Sequence, residues 1–481
     1  MTLNLFLLFP EWIIFGLLVI LLIGEMTVSK LSPSAASYSK LTPVTAQIGS
    51  ALVFLSVLPF AGRIDDALGG MFLLDPVATF FKAFFALTIF VVIATSREFF
   101  AASAERSGEF FLTLWSSLLG FFFLVSANDL LLLFIAIEII TLSFYIMTAY
   151  RKHSLASVEA GIKYLILGSL ASAFLIYGVS LIYLGIGSTS LPQIRDGFAA
   201  QPQNPLLLSG ILMVFAGVAF KIAVFPFQFW VPDVYEGAPT PAVAFLSVGS
   251  KAAGFAVLLR LLFTVFTPLA SMGGMLLAVL AAFTLIYGNL GAILQTNIKR
   301  LMGYSSIGHA GYLLIGIAAG KEIGTSAVLY YLQAYAVTTL AIFLILTIAG
   351  VKLQSDQIAA YRGLSKRSPF LAGALFLAFL SSAGVPPLAG FMGKFMVLLA
   401  AVKENLAWLA LLGALGVAVS LYYYLSVVKV MYIDEPHHEE PLALSFSSKC
   451  LLAALCVGIL LVGIWQAPFL YFAQNAARYL F

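Results

Sequence analysis

A glutamate and four lysines stand inside otherwise apolar helical stretches of this chain. They are Glu138 in LLLLFIAIEIITLSFYIM, Lys163 in AGIKYLILG, Lys221 in GVAFKIAVFPF, Lys251 in FLSVGSKAAGF and Lys394 in FMGKFMVLLAA. A charge at the centre of a bilayer costs roughly 2.5–3.5 kcal/mol on insertion scales, so such residues are rarely idle. Glutamate and lysine both take up and release protons. Burial disfavours the charge on each, and a nearby opposite charge restores it. The chemistry these residues point to is proton transfer along a buried polar route. Glu138 is the acidic residue at mid-depth, so Lys221 is its expected ion-pair partner.

His309, in YSSIGHAG, adds a group that titrates near neutral pH, with Ser305 and Ser306 beside it to hold water. Its alternative role is a hydrogen-bonded packing histidine. Asp233 and Glu236, in WVPDVYEGAPTP, either stabilise a helix N-terminus or collect protons. Lys82 and Arg260 lie nearer the ends of their spans, where such heads are expected to snorkel to the interface. The run His437-His-Glu-Glu440 reads as a solvated loop rather than a metal site. Haem is not expected, because no second histidine occurs at membrane depth. Cys450 and Cys456 fit lipid or packing contacts, not a disulfide framework or CxxC site. Dinucleotide and P-loop glycine motifs and iron–sulfur cysteines are missing, so electron transfer is expected only in other subunits.

These side chains need helices to hold them at depth. The chain is 62% hydrophobic and only 10% charged, against about 25% charged in soluble domains. Apolar runs of about twenty residues make it an all-α polytopic membrane protein. Its formal charge of +4 is too small and scattered for nucleic acid. The N-terminal stretch has no basic residue before Lys30 and is expected to be a permanent first helix, not a cleaved signal. About 14 spans are expected. Residues 1–107 hold the first three helices and 108–265 a five-helix unit. Residues 270–429 hold a second such unit, and 430–481 a loop and final helix.

Two spans contain interior proline, which removes a backbone donor and clashes with the preceding turn, so both should break. The breaks centre near Pro226 and Pro386, 160 residues apart (386 − 226), and the two five-helix units start 162 apart (270 − 108). Matching offsets and an odd helix number imply an inverted repeat, the transporter design with discontinuous helices. With the N-terminus outside, 14 basic residues fall in cytoplasmic loops and 5 in outer ones, so both termini are placed on the outer side. Glu138 lies nine residues past Asp129, and Lys394 nine before Lys403. At 1.5 Å per residue each is about 14 Å from a boundary, near the midplane. Lys251, ten past Pro241, is about 15 Å in.

The run Phe225-Pro-Phe-Gln-Phe-Trp-Val-Pro-Asp-Val-Tyr-Glu-Gly-Ala-Pro-Thr-Pro241 and the following Phe245-Leu-Ser-Val-Gly-Ser-Lys-Ala-Ala-Gly254 resemble the antiporter-like membrane-arm subunits of complex I. Asn297-Ile-Lys-Arg-Leu-Met-Gly-Tyr-Ser-Ser306 with His309, and Gly384-Val-Pro-Pro-Leu-Ala-Gly-Phe-Met-Gly-Lys-Phe395, fit the same family. The resemblance covers the whole chain. It implies a proton path through Glu138 on the fifth helix, Lys221 on the seventh, Lys251 on the eighth and Lys394 as exit residue on the twelfth. Lys163 and His309 are further participants. It also implies neighbouring membrane-arm subunits in a bacterial cell membrane, and FMN, iron–sulfur clusters and quinone in partner subunits rather than in this chain. A Mrp-type cation/proton antiporter, or a scaffold that transports nothing, remains the alternative.

Overall fold

The computed structural model describes residues 4–31, 38–103, 105–267, 269, 274–436 and 440–481. The side chains of Lys30 and Lys40 and residues 437–439, hence most of the His437-His-Glu-Glu440 run, lie outside the described residues.

The N-terminal helices are α1 (Phe9–Leu31), α2 (Tyr38–Val57) and α3 (Pro76–Ala101). The first unit comprises α4 (Ser107–Ser126), α5 (Leu130–Thr148), α6 (Leu155–Ile186), the pair α7 (Pro205–Ile222) and α8 (Trp230–Gly237), and α9 (Thr240–Val265). The second comprises α10 (Gly274–Ile293), α11 (Ile298–Ala319), α12 (Lys321–Leu353), the pair α13 (Pro369–Ala383) and α14 (Ala389–Lys403), and α15 (Ala407–Tyr432). The chain closes with α16 (Phe446–Ile464) and the short α17 (Ala467–Arg478). Twelve helices are long and apolar enough to span a bilayer; α11 and the broken α13/α14 bring the described crossings to fourteen.

Local chemistry sets the starts. Asp129 caps α5 by accepting from Leu131 N at 2.8 Å, and Asn297 caps α11 by accepting from Lys299 N at 2.9 Å. Asn204 caps α7 with Pro205 at the first helical position, where no donor is lost. Depth in the bundle separates the helices. The most apolar stretch of α9 is 100% buried and that of α12 is 83% buried, against 33% for α1, α6, α15 and α16. Lipid can face the latter group, while α9 and α12 form the axis around which both units pack.

Both proline-bearing spans are broken. In α7/α8 the helix ends at Ile222, Ala223 turns left-handed (φ 58°), and the Phe225–Pro226 peptide is cis. In α13/α14 it ends at Ala383, Gly384 takes φ 96°, and Pro386–Pro387 is cis. The left-handed residues are 161 positions apart (384 − 223), so each unit breaks its helix at the same place. A Cβ on Gly390 would meet the Ser381 carbonyl oxygen at 1.9 Å, so only glycine lets the two halves of the second broken helix overlap so closely.

Candidate functional site

Each broken helix presents a lysine at the C-terminal end of its first half, where unpaired carbonyls and the helix dipole favour a cation. Lys221 lies in the last turn of α7 and is 8% exposed; its Nζ donates to the Thr141 hydroxyl of α5. Lys394 approaches from α14 instead. Its Nζ donates to the last carbonyls of α13, Ser382 O at 2.8 Å and Ala383 O at 2.9 Å, and lies 4.7 Å from the Tyr312 ring centre. The carbonyls freed by the second break thus become the ligands of the ammonium group.

Lys251 lies between them on α9, directly after a π-helical turn, Leu246–Ser250. A widened turn of this kind often marks a functional position in a helix. Its Nζ donates to Ser306 Oγ at 2.6 Å and also to the Ser306 carbonyl of α11. His309, one turn further along α11, pairs its Nδ1 with the Tyr331 hydroxyl at 2.6 Å, and its ring lies 5.0 Å from that of Tyr335. Both Lys251 and Lys394 lie within electrostatic reach of His309. The structure therefore brings together Lys221, Lys251, His309 and Lys394. Ser306 serves Lys251 and Ser305 bonds to Tyr424, so the immediate partner of His309 is Tyr331 rather than either serine.

Three expectations are corrected. Glu138 and Lys221 do not form a contact pair. Glu138 is half-buried and accepts from Ser172 at 2.5 Å, while Lys221 is held by Thr141, with the carboxylate within electrostatic reach only. One turn of α5 puts Thr141 beside Glu138 and lets the neutral hydroxyl take the ammonium group. Lys163 is not deep: its side chain is 42% exposed and pairs with Glu159 at 2.8 Å and Asp233 at 2.7 Å. Asp233 and Glu236 in turn bind Arg300 at 2.6 and 2.9 Å, so all five residues, Glu159 included, belong to one partly exposed charge cluster. Lys82 and Arg260 do not snorkel. Lys82 is 1% exposed, 2.8 Å from Glu11 and 4.6 Å from the Phe72 ring centre. Arg260 is 5% exposed, 2.8 Å from Asp75, and donates to the Val125 carbonyl. Each head finds a carboxylate brought from a distant helix end, which span position alone does not reveal.

Sequence reasoning missed Thr141, Ser172, Tyr331 and Tyr335. Thr141 follows Glu138 by three residues, and Tyr331 and Tyr335 are four apart, so each pair shares a helix face. That periodicity was the available signal. The phenol groups read as ordinary core because tyrosine packs as an aromatic wherever its hydroxyl finds a partner.

An inverted pair of five-helix units with a broken helix in each and a row of buried lysines defines an antiporter-like membrane subunit. The chain belongs to the NADH:quinone oxidoreductase/Mrp antiporter transmembrane family, whose profile matches residues 127–420. It is 41% identical over 411 residues, 85% of this chain and 86% of the relative, to NADH-quinone oxidoreductase subunit N of Desulforamulus reducens. The corresponding protein of Moorella thermoacetica is 38% identical, covering 95% of this chain and 98% of the relative. Among solved structures, a chain of respiratory complex I from Thermus thermophilus with bound aureothin superposes with a TM-score of 0.80 at 30% identity, covering 96% of this chain and 98% of the other.

Proposed function

We propose that this chain is a proton-translocating membrane-arm subunit of NADH–quinone oxidoreductase, in the position that subunit N fills in its relatives. The observation that carries the reading is that Lys221, Lys251 and Lys394 are all buried yet bonded to neutral oxygens, with no carboxylate within ion-pair distance among the described residues. A buried ammonium without a counter-charge gives up its proton readily, and regains it when a negative group approaches. Thr141, which holds Lys221, lies one helical turn from Glu138, so a shift that brings the carboxylate to the ammonium group favours the charged lysine and its withdrawal the neutral one. Protons then pass by way of Lys251 and His309 to Lys394.

NADH oxidation and quinone reduction belong to partner subunits, which carry the FMN, the iron–sulfur clusters and the quinone. This chain contributes no redox centre. It sits in the bacterial cell membrane among the other membrane-arm subunits, with both termini outside and no nucleic-acid partner. Lys251→Ala in the assembled complex is expected to abolish proton pumping through this subunit, read as acidification of sealed vesicles per NADH oxidised. Wild-type pumping with an intact complex would sink the reading. The Mrp-type antiporter shares the family, and co-purification with flavin and iron–sulfur subunits separates the two. A pure scaffold would tolerate Lys251→Met without loss of pumping.

A further inference from the structure

The short helix α8 carries a buried phenol that meets the partner of Lys251. Tyr235 places its hydroxyl 3.2 Å from Ser306 Oγ, the atom that also receives Lys251 Nζ at 2.6 Å. Its other neighbour is Ser247, in the π-helical turn that precedes Lys251. α8 is fixed on both sides. Asp233 binds Lys163 of α6 at 2.7 Å and Arg300 of α11 at 2.6 Å. A Cβ on Gly237 would lie 2.3 Å from the Ala156 carbonyl oxygen of α6, and one on Gly303 of α11 would lie 3.1 Å from Pro232 Cα. A ring two residues past Asp233 has little room to shift. What can change at Tyr235 is the direction of its hydrogen bonds, because a hydroxyl proton rotates to suit its partners.

Three groups meet one hydroxyl. Ser306 Oγ has one proton and two lone pairs, and its neighbours are Lys251, Tyr235 and Tyr335. Tyr335, 3.3 Å away, is oriented as a donor, whereas between Tyr235 and Ser306 either oxygen can donate. A charged lysine only donates. With Lys251 protonated, Lys251 and Tyr335 fill both lone pairs, so the Ser306 proton goes to Tyr235, which donates its own to Ser247. Ser247 accepts it, because its own proton is engaged with the Ala244 carbonyl at 2.9 Å. A neutral amine has a lone pair. With Lys251 deprotonated, Ser306 donates to Nζ and both tyrosines donate to Ser306. Each of these hydroxyl protons is paired in both states, and of the two phenols Tyr235 is the one that reverses.

We propose that Tyr235 is a positioning residue for proton uptake at Lys251, its hydroxyl turning between Ser306 and Ser247 as the lysine gains and loses its proton. This rests on the proton-translocation reading above. The other titratable groups facing Lys251 and Tyr235 are Tyr335 of α12, His309 of α11 and Tyr164 of α6. Of these, Tyr335 reaches Ser306, and it is already a donor there.

Tyr235→Phe keeps the ring and removes the hydroxyl. With Lys251 charged, the Ser306 proton then lacks an acceptor; with it neutral, only a lone pair goes unfilled, which costs less. The variant therefore disfavours the charged state selectively. Proton pumping by the assembled complex in sealed vesicles is read across a pH series. The rate is expected to match wild type at the acid end, while its fall at alkaline pH sets in about one pH unit earlier. Ser247→Ala, outside α8, removes the acceptor of the Tyr235 proton and is expected to move the profile in the same direction, so the test stands even if one variant does not assemble. The inference is overturned if either assembled variant keeps the wild-type profile, or loses rate uniformly at every pH as a packing defect would. If Lys251→Ala pumps at the wild-type rate in an intact complex, the translocation reading fails, and with it this role for Tyr235.

Discussion

The two halves of the lysine row are built to the same plan but filled differently. Between Lys221 and Ser250, the residue before Lys251, lies a gap of only about 10 Å3, walled by Leu124, Ile137, Ile140 and Val218. A gap of that size holds at most about one water, with Lys221 and Ser250 as its polar neighbours and apolar side chains on the other sides. Between Lys251 and Lys394 stand Ser306, His309, Tyr331 and Tyr335 instead. The first half is a narrow, mostly apolar constriction and the second a polar relay. Transfer across the constriction needs something to move, and release of the half-buried Glu138 from Ser172 would bring a counter-charge towards Lys221. The relay needs only protonatable atoms within reach of one another.

The anchoring of α9, shared by both halves, gives the largest expected effect on stability. Arg260→Ala leaves Asp75, 0% exposed, without its partner. Breaking such a pair costs about 3–5 kcal/mol, so the yield of assembled complex should collapse. Replacing both residues by apolar ones of similar volume should recover much of it. Unchanged yield in the single variant would mean that the pair does not anchor α9.

Next comes the constriction itself. A Cβ on Gly254 would already lie 2.4 Å from Ile222 Cγ2, so Gly254→Val forces α7 and α9 apart. Overpacking of this kind costs about 1–3 kcal/mol. Pumping is expected to fall more than assembly does, measured as vesicle acidification against complex yield. Equal losses would remove the functional distinction between the halves.

The smallest effect belongs to the relay. Tyr331→Phe removes the hydroxyl bonded to His309 Nδ1, a loss of about 1 kcal/mol. Pumping should persist at a reduced rate, because Ser306 and Tyr335 remain beside Lys251. Complete loss would show that the second half depends on a single contact.

The sequence alone determined the membrane class, the fourteen crossings, the two breaks and the repeat. Each follows from local composition or from spacing along one chain: apolar length, proline inside a helix, an offset of about 160 residues. It also marked Lys221, Lys251, Lys394 and His309, because a charge or imidazole in an apolar run stands out by cost. Only the tertiary structure decided their partners. Lys221 goes to Thr141 rather than Glu138, Lys163 to a surface cluster, and Lys82 and Arg260 to Glu11 and Asp75. A residue's own helix fixes its depth. What lies beside it is set by helices packed from far along the chain, and serine, threonine and tyrosine show no hydropathy signal until packing places them against a charge.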